Sequence, residues 1–69
     1  MNPVEQDIGR RKDEIISEVN AIFKVNMKIT DWDVPEADDA LAGKMILEIM
    51  QEALYELKTK LDAGEFKDY

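Results

Sequence analysis

Neither cysteine nor histidine occurs among the 69 residues of this chain. Disulfides are therefore excluded, and with them the commonest general base, the thiolate nucleophile and the two strongest side-chain donors for transition metals. Carboxylates alone remain as charged metal ligands. Proline occurs twice and glycine three times, too rarely for a flexible linker or a low-complexity tract. Apolar runs are short, Met45-Ile46-Leu47 being typical, far from the roughly 20 residues a membrane-spanning helix needs. The first residues lack the apolar core of a signal peptide, so a cytoplasmic protein without membrane association is expected.

What is present is an apolar fraction of 45%, ordinary for a folded domain and too high for disorder throughout. The expectation is one small domain over residues 1–69, with 1–9 and 65–69 prone to fray. A chain this short buries only roughly 60% of the surface its unfolded form exposes. Such chains lean on disulfides, metals or association. Without cysteine or histidine, association is the support expected here, most simply as a homodimer or on a larger protein partner.

The net charge of −7 is unevenly placed. Residues 1–30 carry five acids and five bases, which cancel, so the whole excess lies in residues 31–69. Acids repel phosphate backbones and anionic lipid, which argues against direct nucleic-acid binding and permits a basic protein partner. The densest acidic stretch is Asp31, Asp33, Glu36, Asp38 and Asp39. The one basic cluster, Arg10-Arg11-Lys12, is expected to form salt bridges within the chain or with a second subunit's acidic turn.

Asn2-Pro3-Val4-Glu5 is a good helix start, with asparagine at the N-cap, proline at the first helical position and Glu5 placed for a capping box. From there Val4, Ile8, Ile15, Ile16, Val19, Ile22 and Phe23 recur at helical spacing over an arc of roughly 120°. Gly9 is the weak point of that helix, which begins either at the N-cap or near Arg10. Between Phe23 and Thr30 the period changes to two, Phe23, Val25, Met27 and Ile29 alternating with polar residues. Residues 24–30 therefore read as an extended connector, or as a short strand paired across a dimer axis. Pro35 disfavours helical geometry at Val34. Asp33 would then cap a second helix, with Glu36 as its box partner and Trp32 filling the corner between the helices.

That second helix, from about Pro35 to Leu61 or Asp62, dominates the chain. Ala40, Leu47, Leu54 and Leu61 fall seven apart, as do Gly43, Met50 and Leu57, an a/d pattern over about three heptads. Ala42, Ile46, Ile49 and Ala53 widen its apolar face to roughly 180°. A first helix with a 120° stripe covers only part of that face, and large uncovered apolar faces mark partners. Gly64 suits the left-handed residue that ends the helix, and Phe66 and Tyr69 either fold back or trail.

No residue pattern points to catalysis. Ser17, flanked by Glu14 and Glu18, lies on the polar side of its helix, and acid pairs such as Glu48 and Glu52 sit where nothing raises a pKa. Asp31-x-Asp33 opens like a calcium loop, but Pro35, Glu36 and Ala42 occupy positions five, six and twelve, where an EF-hand needs a ligand, glycine and glutamate.

The expected fold class is all-α: a two-helix hairpin with a short N-terminal and a long C-terminal helix, dimeric through the second. The expected function is non-enzymatic protein–protein binding, as a small adaptor or inhibitor-type regulator without cofactor. Ile46, Ile49, Met50, Ala53, Leu54 and Leu57 form its interaction face, the methionine being adaptable to a partner. The alternatives are a nucleic-acid mimic whose acids Asp31, Asp33, Glu36, Asp38 and Asp39 block a basic cleft, and a structural subunit of a larger assembly.

Overall fold

A computed structural model describes residues 2–36 and 38–67. It contains three helices, α1 (Pro3–Arg10), α2 (Lys12–Asp33) and α3 (Asp39–Asp62). The expectation of two helices is thus corrected to three. The expected N-cap is in place: Asn2 Oδ1 accepts from the Val4 amide at 2.7 Å, with Pro3 in the first turn. α1 and α2 are separated by a single residue, Arg11 (φ −96°, ψ 7°), whose amide is shared between the Asp7 and Ile8 carbonyls at 3.2 and 3.1 Å. The break lies two residues beyond Gly9, where helix propensity is lowest. The Asp7 carboxylate spans it, accepting from the guanidinium groups of Arg10 at 3.0 Å and Arg11 at 3.2 Å. These ion pairs are exposed and add little stability.

Residues 24–30 are helical, part of an α2 that runs unbroken to Asp33. The expected connector or strand is overturned, and the reason lies in the backbone. A lone strand leaves its amides and carbonyls without partners, whereas a helix satisfies them internally. The polar residues of the alternating stretch also turn back onto the helix, Asn26 Nδ2 donating to the Ile22 carbonyl at 2.8 Å and Thr30 Oγ1 to the Asn26 carbonyl at 3.1 Å. Wound on a helix, the alternation divides between two faces. Phe23, Met27 and Thr30 are half-buried, whereas Val25 and Ile29 are about half exposed, at 52% and 50%.

The second helix begins later than expected. Val34 is extended (φ −131°, ψ 84°), as the following proline requires, and Asp38 rather than Asp33 is the cap. Its Oδ1 accepts from the Ala40 and Leu41 amides at 3.0 and 3.3 Å. Trp32 does not fill the corner between the helices; it is 87% exposed. At the far end Gly64 has φ +81°. The Glu65 amide reaches the Lys60 carbonyl and the Gly64 amide the Leu61 carbonyl, both at 3.0 Å, which is the Schellman arrangement. Phe66 is half-buried beyond this cap, and Tyr69 lies outside the described residues.

α3 runs back along α2. Near the turn Gly43 faces the Phe23 ring and the Met27 sulfur. Further along, Ile22 shares a hollow with Met50 and Ala53, and Val19 one with Leu54 and Leu57. The half-buried seam consists of Phe23, Met27 and Thr30 against Ala42, Gly43, Ile46 and Met50. No described side chain is fully buried. The molecule is accordingly elongated, 50 × 27 × 17 Å with a radius of gyration of 16.0 Å, against roughly 11 Å for a compact chain of this length.

Two glycines offer opposite tests of this geometry. A Cβ at Gly43 would meet Phe23 Cζ at 3.5 Å, an ordinary contact. Gly43→Ala is therefore expected to gain about 1 kcal/mol of helix propensity and to raise Tm by about 4–8 °C. Gly64→Ala, forced to positive φ, is expected to lower Tm by a similar amount. Thermal melts followed by circular dichroism check both; a fall for Gly43→Ala would mean the helices sit closer than described.

Candidate protein-binding face

Beside the α2–α3 seam the two helices leave an open trough. Its wall on α2 is Val19, Ile22 and Asn26, and its wall on α3 is Ile46, Ile49, Met50, Ala53, Leu54 and Leu57. The trough consists of two hollows of about 270 and 220 Å³ that share Ile22, Met50 and Ala53 and so run into one another. Each is smaller than the roughly 300 Å³ at which small-molecule pockets begin, and the convergent polar groups that orient a ligand are missing from the lining. Asn26 is its only polar residue. An aliphatic trough of this kind suits the side-chain ridge of another helix.

The local sequence explains the trough on both sides. On α3, Ala42 and Gly43 near the turn are half-buried in the seam, Gly43 facing Phe23 and Met27. Ile46, Ile49, Ala53 and Leu57 recur every three or four residues along one side of the helix. On α2, Ile15, Val19, Ile22, Asn26 and Ile29 alternate by four and three, the spacing of a coiled-coil seam. These α2 residues are only partly covered by α3: Ile15 is 38% exposed and Ile22 53%.

All six residues expected on sequence grounds to form an interaction face, Ile46, Ile49, Met50, Ala53, Leu54 and Leu57, line the trough. Ile46 and Met50 are half-buried in the seam, while Ile49, Leu54 and Leu57 are more than half exposed. Sequence reasoning missed the opposite wall, Val19, Ile22 and Asn26. The available signal was the repeat of Ile8, Ile15, Ile22 and Ile29 seven residues apart, which the strand reading of residues 24–30 interrupted. A third, shallow hollow lies at the turn end, lined by Lys28, Ile29, Trp32 and Asp33.

The five acids Asp31, Asp33, Glu36, Asp38 and Asp39 are all exposed around the α2–α3 turn. Asp38 is occupied as the N-cap of α3. Across the turn, a hydrogen bond to the Asp39 side chain, with lesser contributions from desolvation and from the Asp39 charge, raises the Asp31 carboxyl above the ordinary aspartate value. Among the described residues no group of three potential metal ligands converges, and Ser17 is an exposed helix residue. No described helix is long and apolar enough to cross a membrane. Comparison with known proteins adds no name: no family model, curated protein or solved structure matches the chain.

The Asp31–Asp39 pair generates a pH prediction. A carboxyl whose folded-state pKa is raised stabilises the fold when protonated, and that contribution is lost as pH rises from the ordinary aspartate value through the raised one. At neutral pH the two charges repel across the turn. Asp31→Asn, which keeps a hydrogen-bond donor and removes the charge, is expected to raise Tm at pH 7, the gain over the parent chain shrinking toward pH 3. An equal Tm difference at both pH values would show that the pair does not couple to folding.

Proposed function

We propose that the protein acts by protein–protein binding, as a small adaptor or inhibitor-type regulator without catalytic chemistry, and that its assembled form is a helix-mediated homodimer. One observation carries this reading: a continuous aliphatic trough runs along a chain in which no described side chain is buried. The chain exposes 6373 Å², where a compact protein of its mass exposes roughly 4,400 Å². The excess of about 2,000 Å² per chain, or about 4,000 Å² for two, is in the range that obligate homodimers bury in total. Burying part of it would supply the core that two helices cannot enclose. The carboxylates on the solvent side of α3 stay on the outside of such an assembly, available to a basic protein surface and repellent to nucleic acid.

The exposure of the trough residues makes the test sharp. Ile49 is 64% and Leu54 55% exposed in the single chain, so a glutamate at either costs a monomer little. In a covered trough each substitution removes burial worth about 1.5–3 kcal/mol per chain. Ile49→Glu and Leu54→Glu are each expected to weaken self-association at least about a hundredfold in Kd and to lower helicity. Tyr55→Glu, at a position 72% exposed on the polar side, should do neither. Sedimentation equilibrium at micromolar concentration, paired with circular dichroism, reads both; a fully helical monomer would falsify the association.

Asn26 provides a second measurement. A carboxamide inside an aliphatic interface costs stability while fixing register, as a buried asparagine does in coiled coils. Asn26→Ile is expected to tighten self-association about tenfold and to allow higher oligomers. An unchanged Kd and a single dimeric mass would place Asn26 outside the interface.

A further inference from the structure

We infer that the second copy lies antiparallel on the trough, the acidic turn of each chain against the open end of its partner. This rests on the dimer proposed above and adds what that reading leaves undetermined, the direction in which the copies meet. Two observations lead to it, the position of the trough along the helices and the distribution of charge between their ends.

The two hollows of the trough share Ile22 and Met50, which stand at mid-length of α2 (Lys12–Asp33) and α3 (Asp39–Asp62). A closed dimer joins one patch to itself about a two-fold axis. A trough centred at mid-length overlaps fully with its copy when that axis crosses the helices near Ile22 and Met50. An axis along the helices overlaps the troughs equally well but sets turn against turn. Shape therefore leaves two arrangements.

Charge selects between them. The turn end holds Asp31, Asp33, Glu36, Asp38 and Asp39, with no lysine or arginine from residue 31 to residue 39. The open end holds Arg10, Arg11 and Lys12 where α1 gives way to α2, and Lys58 and Lys60 near the end of α3. Acids are present there too, but they are nearly balanced by bases: Glu5, Asp7, Asp13, Glu14, Glu56, Asp62 and Glu65 stand against these five and Lys67, and Asp7 is bound by Arg10 and Arg11. In the parallel arrangement two five-acid turns would face each other across one interface, within the roughly 8–10 Å over which charges act at moderate salt. In the antiparallel arrangement each turn meets an end whose acids and bases nearly cancel. Like charges across an interface cost several kcal/mol and suppress the wrong partner geometry, so the arrangement that separates the two turns is favoured.

The chain contains no cysteine, so introduced thiols label single sites. Glu36→Cys marks the turn end and Asp62→Cys the open end, and both positions are exposed. The 24 residues of α3 separate these ends by about 36 Å. Spin labels on Glu36→Cys alone are expected to lie at least about 35 Å apart in the dimer, whereas an equal mixture of the two variants gives an additional separation below about 25 Å, two neighbouring helices plus label arms. Double electron–electron resonance reads both distances, and sedimentation of the same labelled samples reads the mass. A dimeric mass with a short separation for Glu36→Cys alone overturns the antiparallel arrangement and leaves the dimer standing. A monomeric mass overturns the dimer and with it this inference.

Discussion

Two helices packed along one seam cannot surround anything, and most features of this molecule follow from that constraint. α2 and α3 meet through Phe23, Met27 and Thr30 on one side and Ala42, Gly43, Ile46 and Met50 on the other, all only half-buried. Each helix still carries aliphatic residues beyond the seam, from Ile15 to Ile29 on α2 and from Leu41 to Leu61 on α3. The hydrophobic effect scales with apolar area removed from water, so a seam without enclosure yields a fraction of what these side chains offer. Local devices hold the helices in place meanwhile: the Asn2 and Asp38 caps, the Schellman turn at Gly64, and the back-bonding of Asn26 and Thr30. Such contributions are individually of the order of 1 kcal/mol and do not substitute for a core.

The same constraint shapes the functional reading. No described side chain is fully buried, so the hollows between α2 and α3 are open surface rather than enclosed cavities. The raised Asp31 carboxyl owes its displacement mainly to a neighbour across a surface turn. What a two-helix layer does possess is area. The trough between Val19, Ile22 and Asn26 on one helix and the Ile46–Leu57 stripe on the other is where that area is continuous. The side chains left without a core are the ones that the proposed association would cover.

Much of this was legible in the sequence. The long second helix, its C-terminal stop at Gly64, the N-cap at Asn2 and the six residues lining the α3 wall of the trough all follow from spacing and from the chemistry of helix ends. The failures are equally instructive. Phe23 to Thr30 alternates strictly and reads as a strand, yet it is helix, because alternation over eight residues weighs less than the need to satisfy the backbone without a partner strand. Trp32 reads as a corner plug by its size and is almost wholly exposed. Asp33 and Asp38 are both competent caps, and Pro35 admits either.

By itself, then, the sequence determined that this is an acidic chain of the all-α class without cysteine or histidine, with a wide apolar face on its long second helix. Those properties are local or compositional: helical period, cap chemistry and charge depend on near neighbours. Only the three-dimensional structure decided that α2 continues through residue 30, that Asp38 rather than Asp33 caps α3, and that Ile22 and Asn26 face the same trough as Ile49 and Ala53. The last of these brings together residues more than 20 apart in the chain. Spacing along one helix does not encode which residues of another helix it meets.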